Sequence, residues 1–242
     1  MSLTRTQTET QAQTNSGEKA VVLLSGGLDS ATCVAVAQAY GMQVHALSFR
    51  YGQTLSVEID HATQVAEALG VHAHRIIDVD LAPLGGSRLL GDDEIATQIE
   101  ASGSDIPATY VPARNTIFLS LGLAWAEVLG ARYLIFGANA VDYSGYPDCR
   151  PEYVEAFEEL ANRATRLTVE GPRLYVLAPL MDLTKADIIR LGLSMKLDYG
   201  LTHSCYFPNA RGEACGTCDS CRIRLEGFKG AGAEDPVPYQ RT

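Results

Sequence analysis

Apolar and polar positions alternate along the chain in two different rhythms. Residues 20–25 (AVVLLS) form a continuous apolar run, the pattern of a strand buried on both faces. Residues 28–40 follow with helical spacing and stop at Gly41. Residues 43–49 predict a second strand. Over residues 55–69, Leu55, Ile59, Ala62, Val65, Ala66 and Leu69 share one helical face, with Gly70 as the stop. A third strand is expected at 74–79. After a break, helical spacing resumes at 115–129 before Gly130, and a strand follows at 132–137. An amphipathic helix is expected over 151–166, opened by Pro151. A strand at 173–178 and a short helix at 184–191 complete the series. Strands separated by helices predict an α/β fold with a doubly wound, mostly parallel sheet. Ligands of such sheets sit beyond the carboxyl ends of the strands.

The segment 80–110 breaks the rhythm with Pro83, Gly85, Gly86, Gly91, Gly103 and Pro107. A connection this long inside a domain is usually functional or mobile. Residues 1–18 are rich in Thr, Gln and Glu and have no apolar core, so they read as a disordered tail and not as a signal peptide. The expected organisation is this tail, an α/β nucleotide-binding domain over 19–198 and a C-terminal zinc-binding segment over 199–242.

Bulk properties narrow the function. The chain has 242 residues and a formal net charge of −10, with no run of Lys and Arg. An acidic chain repels polyphosphate backbones, which favours small-molecule substrates over nucleic acid. No stretch of 18 apolar residues is present to span a membrane. Four of the six cysteines fall within 17 residues, unlike a disulfide framework. A cytoplasmic location with reduced thiols is therefore expected.

Three groups of residues carry candidate chemistry. Ser25-Gly26-Gly27-Leu28-Asp29-Ser30 falls at the first strand-to-helix turn. Two glycines admit a ligand close to the backbone, and the following helix N-terminus offers free N–H groups to an anion. Ser25 and Ser30 add hydroxyl donors. Asp29 beside phosphate makes sense as a ligand of Mg²⁺, a hard cation that takes carboxylate and phosphate oxygens together. The plainer alternative is a carboxylate favouring a helix N-terminus. The loop is neither a GKS/GKT phosphate loop nor the GxGxxG dinucleotide fingerprint.

Cys205, Cys215, Cys218 and Cys221 give the spacing C-x9-C-x2-C-x2-C. Four thiolates with no open position suit a structural tetrahedral zinc, with Arg222 and Arg224 near enough in sequence to offset its charge. The rival is a [4Fe–4S] cluster, whose fourth cysteine usually lies downstream and not upstream as here. Cys33 reads as core packing. The third group comprises Tyr110–Asn115 and Gly137–Arg150. Asn, Asp and Tyr there can read the edge of a purine-like ring or stack on it, and Arg114 can clamp a carboxylate or phosphate. The same residues are also ordinary turn formers.

The order SGGxDS resembles the signature of the PP-loop ATP pyrophosphatases, which split ATP to AMP and pyrophosphate while adenylating a carboxyl or amide oxygen. From about residue 20 to 225 the chain is similar to the 7-cyano-7-deazaguanine synthase family. The likeness rests on SGGLDSATC, FRYGQ at 49–53, VPARN, GANAVDYSGYPDCRPEYVEAF at 137–157, Thr184-Lys185 and the HSCY…CGTCDSCRIR run. Thr54-Leu55 stand where that family often has Arg-His.

The resemblance implies conversion of 7-carboxy-7-deazaguanine, ammonia and ATP to 7-cyano-7-deazaguanine (preQ0) in queuosine biosynthesis. Adenylation of the acid and then of the amide would drive it. It implies an ATP loop over Leu24, Ser25, Gly26, Gly27, Leu28, Asp29, Ser30, Ala31 and Thr32. Ser25, Asp29, Ser30, Arg114 and Lys185 are the expected catalytic residues. Tyr51, Gln53, Asn115, Asn139, Asp142, Tyr143, Asp148 and His203 are expected around the substrate, and a homodimer is expected as the assembly. Competing readings are a tRNA thiolase or amide synthetase of the same superfamily, or a nucleotide-binding module without catalysis.

Overall fold

The structure is a computed structural model, and it describes residues 17–52, 57–91, 106–139 and 145–240. Five strands form one sheet: β1 (Lys19–Leu23), β2 (Gln43–Arg50), β3 (Ala73–Asp78), β4 (Tyr133–Ile135) and β5 (Tyr175–Leu177). Their order is β3-β2-β1-β4-β5, and every pair is parallel. The register pairs Val21 with His45 and with Leu134, so β1 lies at the centre. The chain winds outward from β1 to β3, then returns to β4 on the other side. The topological switch therefore lies between β1 and β4, where a crevice opens at the strands' carboxyl ends.

Seven helices cover the sheet among the described residues: α1 (Leu28–Ala39), α2 (Val57–Ala68), α3 (Arg114–Leu129), α4 (Pro151–Ala164), α5 (Arg166–Glu170), α6 (Lys185–Ser194) and α7 (Asp219–Ala231). Side chains of a strand alternate between faces, and the core divides accordingly. Val22, Val44 and Ala46 pack with Val34, Val65, Ile188, Ile189 and Phe228, so α1, α2, α6 and α7 cover one face. Val21, Leu47 and Phe49 pack with Leu119, Leu123 and Phe157 of α3 and α4 on the other.

Two elements differ from the sequence expectation. The helix expected over 151–166 breaks at Thr165, which adopts an extended conformation. The Thr165 hydroxyl bonds to Ala161 O and Thr168, and Glu127 Oε1 accepts from the first N–H groups of α5. The local side-chain bonds thus compete with helix continuation. In the C-terminal segment, α7 was not anticipated. Its Phe228 enters the same core as Ile188 and Ile189 of α6. The Arg224 side chain, 3% exposed, bonds Asp235 through Nε and Nη2 (2.8 and 3.0 Å) and reaches Tyr199 O and Thr202 Oγ1. The segment is thereby fastened onto the α/β unit.

Candidate active site

The turn after β1 is shaped by Gly26, whose φ is +83°. A Cβ there would lie 2.5 Å from Glu58 O and 2.7 Å from Ala62 N, so only glycine lets α2 pack against the loop. Gly27 is the N-cap of α1 and has no side-chain cap, which leaves the first N–H groups of α1 for a ligand. Ser25 Oγ and Ser30 Oγ lie 3.1 Å apart, and Ser30 Oγ donates to Gly27 O. The end of β4 closes on this loop: a Cβ on Gly137 would meet Asp29 and Ser30 atoms at 3.3 Å.

Asp29 extends from the first turn of α1 toward α6. Lys185 Nζ donates to both of its carboxylate oxygens, at 2.8 and 2.7 Å, and Asn139 Nδ2 donates to Oδ2 at 3.3 Å. The side chains of Lys185 and Asp29 are 14% and 26% exposed. A cation and an anion are thus fixed at the mouth of an anion cradle. Thr184 supports the arrangement by capping α6, its hydroxyl accepting from Asp187 N.

These groups line one cavity of about 920 Å³. One wall is apolar: Leu23, Leu47, Phe49, Phe118 and Phe136, with the Phe49 and Phe118 rings stacked at 4.1 Å. The strap Ser204–Pro208 from the C-terminal segment also lines it. Arg114 enters beside the aromatic wall. Its approach is set by Ala113, which holds φ +55° at the start of α3. Burial opposes the Arg114 charge, yet Tyr51, Asp148, Cys149 and Glu58 around it raise its pKa overall. The same burial pushes the Tyr51 phenol up, while its hydrogen bond with Arg114 pulls the other way.

The expected residues sort into three groups. Leu24, Ser25, Gly27, Leu28, Asp29, Ser30, Tyr51, Arg114, Asn115, Lys185 and His203 all line the cavity. Gly26, Ala31, Thr32, Asn139 and Asp148 act from behind it. Ala31 is fully buried in the core, and the Thr32 hydroxyl bonds to Leu28 O and Tyr199 at 2.8 Å each. Asn139 is buried and holds Asp29. Asp148 accepts from the Asn115 backbone N–H at 3.0 Å and so caps α3 from outside its own chain segment. Burial raises the Asp148 carboxyl, and the Asn115 bond partly offsets this. Gln53, Asp142 and Tyr143, with Thr54-Leu55 and most of the N-terminal tail, lie outside the described residues.

Tyr146 and Cys149 of the 137–150 group line the cavity, and sequence reasoning missed Glu58 and Tyr206 there. Tyr206 lies inside a motif string, but Glu58 carried no sequence signal of its own. Only the packing of α2 on Gly26 places it at the site.

The four expected cysteines converge. The sulfurs of Cys205, Cys215, Cys218 and Cys221 all lie within 4.8 Å of one another, and Cys215 and Cys221 are 3.9 Å apart. Tetrahedral zinc, with Zn–S near 2.3 Å, needs sulfurs about 3.8 Å apart. Backbone N–H groups of Phe207 and Cys215 donate to Cys205 Sγ, and those of Thr217 and Cys218 to Cys215 Sγ. Such donors stabilise thiolates, so the set fits a metal ion. Of the nearby arginines, Arg224 is matched by Asp235, and Arg222 pairs with Asp219 at the surface. The Arg224 charge is therefore spent on the fold and not on the thiolates. The cysteine set also reaches the cavity. His203 N donates to Gly26 O at 2.9 Å, and the buried His203 ring bonds Cys205 O and stacks on His61. Burial lowers the pKa of that ring.

A parallel doubly wound sheet with an SGGxDS anion loop at its switch point defines an α/β fold of the PP-loop type. The NMN synthetase of Francisella tularensis shares this fold. Its TM-score is 0.50 at 17% identity, over 94% of this chain and 82% of that one. The family described as "Queuosine biosynthesis protein QueC" matches residues 19–232, and the chain belongs to it. The 7-cyano-7-deazaguanine synthase of Geobacter sulfurreducens is 60% identical over 222 residues, which is 91% of this chain and 93% of that protein. That of Cupriavidus pinatubonensis is 59% identical over 225 residues, 93% and 99% of the two chains. No helix among the described residues is long and apolar enough to cross a membrane.

Proposed function

We propose that this enzyme converts 7-carboxy-7-deazaguanine, ammonia and ATP to 7-cyano-7-deazaguanine. The observation that carries this reading is the meeting, in one cavity, of the anion loop, the Asp29–Lys185 pair and Arg114 in a chain of this family. A carboxylate is a poor electrophile. Its oxygen attacks the α-phosphorus of ATP, pyrophosphate leaves, and the acid becomes an acyl adenylate. Ammonia displaces AMP to give the amide. The amide oxygen then attacks the α-phosphorus of a second ATP, pyrophosphate leaves again, and loss of AMP and of both N–H protons leaves the nitrile.

In this reading the N–H groups at the start of α1, with Ser25 and Ser30, hold the pyrophosphate. Lys185 turns from Asp29 to the phosphates as negative charge develops there. Asp29 is an oxygen donor suited to Mg²⁺, which when bound neutralises the leaving pyrophosphate. Arg114, oriented by Tyr51, clamps the substrate carboxylate. The apolar wall keeps water from the acyl adenylate. Asn115, Tyr51 and His203 border the deazaguanine ring, together with Gln53, Asp142 and Tyr143. Asp148 and Asn139 serve it indirectly by fixing Asn115 and Asp29.

Cys205, Cys215, Cys218 and Cys221 would hold zinc, a structural ion that fixes the strap Ser204–Pro208. The enzyme acts on small molecules in the cytoplasm as a homodimer and takes no nucleic acid as partner. Acid-dependent exchange of labelled pyrophosphate into ATP tests the adenylation half. Exchange in the wild type and its loss in Asp29→Ala are expected. Full exchange in Asp29→Ala removes Asp29 from the mechanism.

A further inference from the structure

The proposed reaction releases pyrophosphate twice, and negative charge collects on that group as its bond to the α-phosphorus breaks. Fixed donors beside it therefore act most strongly in the transition state. The two hydroxyls of the anion loop are committed within the loop itself. Ser30 gives its proton to Gly27 O, so in the 3.1 Å contact between Ser25 Oγ and Ser30 Oγ the donor is Ser25. Both must rotate to meet a phosphate.

Ser204, on the strap, is prepared differently. The buried Arg224 guanidinium makes two bonds to Asp235 and one each to Tyr199 O, Thr202 Oγ1 and Ser204 Oγ. That uses every N–H donor the group has, so it cannot turn without breaking bonds. An arginine only donates. Ser204 Oγ therefore accepts from Nη1 at 3.2 Å, and its own proton has no acceptor among the described residues. Ser204 lines the cavity. The backbone before it is docked on the anion loop: His203 N donates to Gly26 O at 2.9 Å, and His203 O lies 3.5 Å from where a Cβ on Gly27 would stand. Ser204 thus follows directly on a peptide group seated beside the uncapped start of α1. Ser220, at the start of α7, also lines the cavity, but no hydrogen bond among the described residues holds its hydroxyl in place.

We propose that the Ser204 hydroxyl binds the pyrophosphate group, closing the anion cradle from the strap side, with Arg224 as its positioning residue. This rests on the adenylation reading above. Ser204 Oγ–H donates to an oxygen of the pyrophosphate half of ATP and keeps that bond as pyrophosphate departs. No proton is transferred. Arg224 fixes the Ser204 oxygen and, by donating to it, makes the O–H a stronger donor. The strap that carries Ser204 also carries Cys205 of the metal set, so the C-terminal segment gains a direct part in phosphate binding.

The test compares Ser204→Ala with Ser204→Thr, which keeps a hydroxyl, using thermal melts and metal content to compare folding. Calorimetric titration with magnesium pyrophosphate, and separately with AMP, probes the two halves of the nucleotide. Losing a hydrogen bond to a charged group should weaken pyrophosphate binding about tenfold in Ser204→Ala while AMP stays within about twofold. Ser204→Thr should recover most of the loss. Equal weakening of both ligands would reduce Ser204 to holding the strap and overturn the proposal. So would unchanged pyrophosphate binding in Ser204→Ala. The wild-type enzyme gives an independent check that holds even if Ser204→Ala does not fold. Amide hydrogen exchange across the strap, followed by mass spectrometry, should slow with magnesium pyrophosphate and not with AMP. No slowing, or equal slowing by AMP, would also overturn the proposal. A wild-type enzyme that binds pyrophosphate in this way yet never exchanges it into ATP would instead refute the adenylation reading.

Discussion

Replacing Gly26 by alanine probes the joint on which the site depends. Two penalties are expected there. The residue sits at φ +83°, a region that costs an L-residue roughly 1–2 kcal/mol. The new methyl would also stand 2.5 Å from Glu58 O and 2.7 Å from Ala62 N. Both are backbone atoms of α2 and cannot rotate away, so loop and helix must separate. Forced overpacking of this kind costs about 1–3 kcal/mol. The sum is about 2–5 kcal/mol. Gly70 supplies the control. It has φ +59° and nothing within 4 Å of its would-be Cβ, so Gly70→Ala carries the conformational penalty alone. Urea unfolding of both variants, read by circular dichroism, isolates the contact from the strain. Exchange activity should vanish in Gly26→Ala and persist in Gly70→Ala. Equal stabilities with exchange retained in Gly26→Ala would refute the claim that the loop is seated on α2.

Asp235→Ala should destabilise the fold by about 3–5 kcal/mol, because it strands a buried guanidinium; urea titration measures it, and Arg224 is the residue stranded. Lys185→Met should lower the adenylation rate about 10²–10³-fold, measured by exchange. The buried His45 ring has a pKa lowered first by burial and then by His72, Lys19 and Arg75, and neither ring nitrogen has a hydrogen-bond partner among the described residues. Its folded pKa lies below the unfolded value. Its contribution is therefore whole above about pH 6.5 and is lost as pH falls from there toward the folded pKa. His45→Phe should flatten that part of an acid stability profile. Chelation of the metal should lower the melting temperature and weaken nucleotide binding together, since the cysteine set carries the strap over the cavity; calorimetry with and without chelator checks both.

Much of the fold was legible because its signals are local. Buried parallel strands read as apolar runs, and Gly41, Gly70 and Gly130 ended helices where expected. The anion loop and the four cysteines were legible because short spacings fix their chemistry. What could not be read were roles created by distant packing. Asn139 and Asp148 were expected around the substrate, and the sequence held no sign of the bonds they make to Asp29 and to the start of α3. Arg224 looked like a counter-charge for thiolates until Asp235 met it. Glu58 gave no signal beyond its place in a helical turn, because its position depends on Gly26 having no side chain. The helix α7 was obscured by the turn-rich cysteine spacing before it and by three glycines within or just after it.

The central claim is that one cavity adenylates an acid and then its amide. Mass spectrometry of a reaction containing 7-carboxy-7-deazaguanine, ammonium and Mg-ATP tests it most directly. The account predicts the nitrile, with the amide appearing first and then declining, and AMP released in both stages. Amide accumulating as the end product, or acid recovered unchanged from folded, metal-loaded enzyme, would contradict it.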